Sequence, residues 1–165
     1  MEYQVGAKVV YGIHGVCRIL DVETKTVDRQ KIPYYVLEPL DQPGARYYIP
    51  TQKPAAVAKL SPLLTRSELD SLLREAFCCE NVWIEDENKR KLYYRELIGS
   101  GDRKALVAMV HALHQHKKQQ LEAGKKFHLC DENFLRDAQK LLNSEFCLVL
   151  QMSPEQIPEY LSAYM

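Results

Sequence analysis

Over residues 3 to 60 apolar side chains come in short, alternating runs, and from Thr65 onward they recur every three or four positions. The first pattern is that of strands. The stretches YQVGAKVVYG, GVCRILDVETKTV, PYYVLEPL, RYYIP and AAVAKL are brief, rich in Val, Ile and Tyr, and bounded by Gly, Pro or charged residues. Five strands at such close spacing predict a small β-barrel. Pro33, Pro39, Pro43 and Pro50 fall at or near the predicted strand ends, where a missing backbone N–H does least damage.

The second pattern is helical, and each helix has a start signal. In TRSE, Thr65 and Glu68 form a capping box ahead of Leu69, Leu72, Leu73 and Phe77. Gly101 closes one element and Asp102 caps the next, a long helix whose Leu106, Met109, Val110 and Leu113 make one apolar stripe. DENFLRDAQKLLNSEFCLVL repeats the pattern with Phe134, Leu135, Ala138, Leu141, Leu142 and Phe146. A terminal helix then starts at SPEQIPEYL, with Ser153 as N-cap and Pro154 at its first position. The expected fold is α+β, a β-barrel domain over 1–60 and an all-α bundle of about five helices over 65–165, joined by the short linker SPLLT at 61–65.

Charge changes this picture only locally. Lys plus Arg balance Asp plus Glu at 22 each in the 165 residues, so no global field draws the chain to nucleic acid or anionic lipid. Within the helical part the balance is uneven. Residues 61–88 carry two cations against seven acids, residues 89–126 ten against three, and residues 127–165 two against six, giving −5, +7 and −4. The basic middle is the one candidate surface for a polyanion, although a solvated helix face would carry a similar run.

Candidate chemistry is sparse. The longest apolar runs are far too short to cross a bilayer, and MEYQVGAKVV lacks the pattern of a secretion signal, so a cytoplasmic protein with no membrane partner is expected. The five cysteines, odd in number and irregularly spaced, predict reduced thiols, with the adjacent Cys78 and Cys79 either buried small hydrophobes or a redox pair. His111, His114 and His116 share one helix, but without HExxH, CxxC or an acid at ligand spacing no metal is expected. VYGIHG at 10–15 brings Tyr11 and His14 together and is read as a tight loop in which Gly12 and Gly15 supply backbone freedom. There is no phosphate-binding glycine motif and no nucleophile with a base and orienting acid, so neither a cofactor nor catalysis is expected.

The opening VGAKVVYGIHGVCRILDVETKT resembles the N-terminal signature of the CarD family of bacterial transcription regulators, including its CdnL branch, in which VGDxVVYPxHG precedes xVxxIExxxI. Ala7 and Gly12 depart from that pattern, while Tyr11, His14 and Gly15 hold it. YYVLEPL and YYIP resemble later barrel strands, and RKLYYRELIGSGDRKALVAMVHAL the family's helical segment. The resemblance implies a Tudor-like barrel, similar also to the polymerase-interacting domain of the transcription-repair coupling factor, that binds the β subunit of bacterial RNA polymerase. It implies a monomer that follows the polymerase to the nucleoid, and an exposed barrel strand that pairs edge to edge with the partner. That strand would be RYYIP, with Lys25, Arg46, Tyr48 and Ile49 as contact residues.

It further implies that the helical domain meets promoter DNA at the upstream edge of the bubble and stabilises the open complex. Contacts would be to phosphates and the minor groove, without sequence specificity. Lys89, Arg90, Lys91, Lys125 and Lys126 would hold phosphate, and a tryptophan would wedge into the minor groove. Trp83 is the sole tryptophan, but counting back from SGD at 100–102 puts the wedge position on Glu87. Trp83 is therefore either a wedge one turn out of register or a residue packed against the bundle. Glu85, Asp86 and Glu87 would repel phosphate but stabilise the positive end of a helix.

Overall fold

The computed structural model describes residues 3–78 and 83–164, the Ile13 side chain apart. Its chain divides into two compact units, Met1–Leu63 and Leu64–Met165. The fold is α+β, a Tudor-like five-stranded antiparallel sheet followed by a helical bundle.

In the first unit β1 (Lys8–Tyr11), β2 (Val16–Val27), β3 (Gln30–Pro39), β4 (Tyr47–Pro50) and β5 (Leu60–Pro62) lie in the order β4-β3-β2-β1-β5. Val9, Cys17, Ile19, Tyr35, Leu37, Ile49 and Leu60 form the core. The β2–β3 hairpin turns on Asp28 and Arg29, both at positive φ (49° and 65°), as a two-residue turn requires when it follows the twist of its strands. Beyond the reach of β4 this hairpin continues as a two-stranded ribbon, from Thr24 to Val27 against Gln30 to Pro33. Pro33 thus sits inside β3 rather than at its end.

The fifth strand differs from expectation. AAVAKL does not extend; Pro54–Val57 form a short helix, α1, and β5 starts only at Leu60. Pro54 occupies the first turn, where its lack of an N–H costs nothing, and the following alanines are good helix formers.

The second unit comprises α2 (Arg66–Cys78), α3 (Glu87–Ser100), α4 (Arg103–Glu122), α5 (Leu129–Leu150) and α6 (Ile157–Ser162), the last preceded by a 3-10 turn at Pro154–Gln156. The caps are those the residue types dictate. Thr65 Oγ1 accepts from the Glu68 N–H (3.1 Å), and Asp102 accepts from the Ala105 N–H (3.1 Å). Gly101 ends α3 in the left-handed region. α4 packs against α2, α3 and α5, and Leu69, Leu73, Leu113 and Phe146 are wholly buried between them. Burying each such side chain contributes about 1.5–3 kcal/mol. The short α6 is pinned by its tyrosines, since the Tyr160 and Tyr164 hydroxyls both donate to Asp70 Oδ1 (2.5 and 2.6 Å).

Candidate interaction surfaces

The sheet ends on β4, whose one strand neighbour among the described residues is β3. Side chains on this strand alternate by the pleat. Tyr48 points outward and is 42 % exposed, whereas Ile49 is 4 % exposed and lies in the core. The sequence places Ile49 among the contact side chains; the structure leaves only its backbone at the edge. Lys25 reaches across from the ribbon and sets its Nζ 3.5 Å from the centre of the Tyr48 ring, so cation and aromatic form one exposed feature. Arg46, exposed beside them, is held by Glu38 (2.5 Å), which also accepts from the Gly44 N–H. These two bonds, the backbone one foremost, hold the Glu38 carboxyl below the usual range. Inside the unit, Tyr11 stacks on His14 (5.0 Å between centres) and on Tyr47 (5.5 Å), and His14 is tilted against Tyr47 (4.3 Å), while the Tyr11 N–H donates to the Gly15 carbonyl and closes the loop.

In the helical unit the start of α3, the end of α4 and the start of α5 meet at one end. Arg90 joins them. Expected at the surface, it is 4 % exposed: its Nε and Nη2 donate to the two oxygens of the fully buried Asp131 (3.0 and 2.9 Å), and Nη1 donates to the Ile84 carbonyl (2.8 Å). An acid at a core position of α5 draws the guanidinium inward, because a buried carboxylate needs a charged partner. With its side chain 5 % exposed and held by these bonds, Arg90 is turned away from the surface where a phosphate would bind.

Trp83 is half-buried just before α3. Its ring stacks on His116 at 3.8 Å with 10° between planes, Arg90 Cζ lies 4.6 Å from its centre, and Tyr94 meets it edge-on. Asp86 is the N-cap of α3, accepting from the Lys89 N–H (3.0 Å), which lowers its pKa. Glu87 sits in the first turn and pairs with Lys91 (3.1 Å). These acids stabilise the helix start.

The charge blocks of the sequence largely meet one another. From the basic middle, Arg90 pairs with Asp131, Arg103 with Glu145, Lys104 with Glu75, Lys117 with Glu132 and Lys91 with Glu87. Lys89, Lys125 and Lys126 remain exposed at the shared end, without an ion pair to a described residue. Lys125 is placed by Gly124, whose φ of 73° reverses the chain after α4, and its N–H donates to the Gln120 carbonyl (2.8 Å).

Sequence reasoning missed Asp131 and Glu145. Both fall on the apolar face of α5 with Leu135, Ala138 and Leu142, and an acid at such a spacing is itself a signal for a buried cation partner. Of the cysteines, Cys17 is buried and its thiol pushed up to about 11 by that burial, whereas Cys78 is exposed, which removes the buried-hydrophobe alternative for it. Cys79 lies outside the described residues. His111 meets Phe77 edge-on, and among the described residues no cluster of His, Cys, Asp or Glu is arranged to hold a metal. No described helix is long and apolar enough to cross a membrane.

A search of curated proteins found no match to the chain. The family model of the CarD-like/TRCF RID domain matches residues 3–61, from the tyrosine that anchors the N-terminal segment to β5. Tyr3 is tied into this unit, its N–H donating to the Tyr35 hydroxyl (3.1 Å) and its own hydroxyl to the Leu60 carbonyl (3.4 Å). Domains of this type are protein-interaction modules directed at RNA polymerase in transcription-related proteins. The sheet unit of this chain is thus a member of the CarD-like RNA polymerase-interacting domain family.

Proposed function

We propose that the chain is a transcription regulator that binds the β subunit of bacterial RNA polymerase through the open edge of β4. The helical unit then contacts promoter DNA phosphates with Lys89, Lys125 and Lys126, and so stabilises the open complex. The observation that carries the reading is the family match over a unit whose edge strand β4 presents Tyr48 outward, with Lys25 of the β2–β3 ribbon set over its ring. Edge pairing gives affinity from backbone hydrogen bonds and specificity from alternate side chains. The three lysines support phosphate contact, which positions a protein on DNA without reading its sequence. Packed on His116 and Arg90, Trp83 serves the bundle in this reading rather than the minor groove.

Binding to a forked promoter duplex, measured against salt concentration, tests the DNA half. Neutralising Lys89, Lys125 and Lys126 together to Gln reduces the log–log slope by about 2.7, at roughly 0.9 for each phosphate no longer neutralised, and shortens open-complex lifetime on a defined promoter. An unchanged slope would confine the chain to polymerase binding.

A further inference from the structure

The helical unit holds a cavity of about 560 Å³ lined by α2, α4, α5 and α6. Its floor is apolar, with Phe77, Val110, Leu142, Phe146 and Ile157 among the lining. The polar groups in its wall are His111, His114, Gln115, Lys118, Gln139, Asn143 and Ser162; none is an acid. A volume of several hundred cubic ångströms, an apolar basin and a few convergent polar groups are the features of a small-ligand site.

The polar groups specify which ligand. Lys118 is exposed and makes no ion pair with a described residue, so its charge is available. Gln139 Nε2 lies 2.7 Å from His114 Nε2, and an amide nitrogen can only donate. With its Nε2 engaged by Gln139, His114 keeps Nδ1 as a second polar atom of the wall. A wall with donors and a cation but no carboxylate suits an anion and repels a cation, while the apolar floor calls for a hydrocarbon body. We propose that this cavity binds one medium-chain alkyl carboxylate, its chain among Phe77, Val110, Leu142 and Leu161 and its carboxylate at Lys118 and His114.

Titration calorimetry of the full chain with decanoate, below micelle formation, tests this directly. Binding of one carboxylate per chain is expected, with affinity rising about fourfold per added CH₂ from hexanoate to decanoate. Decyltrimethylammonium should bind about tenfold more weakly, and Lys118→Glu, an exposed change, should weaken decanoate by about tenfold. Leu161→Trp, placed at the half-exposed edge of the cavity, should remove binding while leaving the unfolding curve of the chain cooperative. Several carboxylates per chain, equal affinity for the ammonium amphiphile, or full affinity in the folded Leu161→Trp protein would each overturn the proposal. So would sedimentation showing that the cavity is covered by a second copy which decanoate does not displace.

Discussion

The two units treat their conspicuous residues in opposite ways. In the sheet unit Lys25 and Tyr48 stay outside, joined to each other on an open edge. In the helical unit the residues that look like tools, Trp83, Arg90 and His116, turn toward one another, and Asp131 locks the arginine among them. The difference follows from geometry. A strand alternates its side chains, so every second residue of an edge must face out. A helix end offers no such guarantee, and one buried acid across the bundle is enough to reverse the direction of an arginine.

The largest effect should come from breaking that lock. Arg90→Ala leaves Asp131 buried and unpaired, and urea unfolding should show a loss of about 3–5 kcal/mol. A loss near zero would mean that the guanidinium belongs to the surface after all, and the contrast between the units would fail.

Trp83→Ala should cost about 2 kcal/mol, since the ring is half-buried and stacked rather than enclosed. The fluorescence of this sole tryptophan sharpens the point: emission to the blue with weak iodide quenching is expected. Red, freely quenched emission with unchanged stability would restore Trp83 as an exposed wedge.

A smaller effect belongs to the clamp on α6. Hydrogen bonds from Tyr160 and Tyr164 lower the pKa of Asp70, so the folded state binds its proton more weakly than the unfolded chain. The stabilisation is therefore complete above the unfolded carboxylate value, near pH 4, and is lost as pH falls through the lower folded value. Asp70→Asn should cost about 1 kcal/mol near neutral pH and flatten this acid limb. An identical acid limb in the variant would assign the stabilisation elsewhere.

How far the sequence revealed this depends on whether the signal was local. The caps at Thr65, Asp102 and Gly101 and the apolar stripes of α4 and α5 were legible because each is set by residues a few positions apart. The switch from sheet to bundle was legible as a change of period. AAVAKL misled because its apolar run lacks the β-branched density of a strand, and Pro54 favours the first turn of a helix. The fate of Arg90 and Trp83 was not legible from residues 80–94, since it is decided by His116 and Asp131, distant in sequence. The block of positive charge looks like a surface in the sequence, yet half of its cations pair with acids of the same molecule.

Affinity for the isolated polymerase β lobe, compared between the natural chain and a Lys25→Glu, Arg46→Glu, Tyr48→Ala variant, bears most directly on the proposed docking edge. All three side chains are exposed, so the variant should keep its fold. Its binding should fall by a factor of about 100 or more, as expected when the side chains that set an edge contact are removed or reversed in charge. Natural affinity in a folded variant would contradict the assignment of the β4 edge as the polymerase-binding surface.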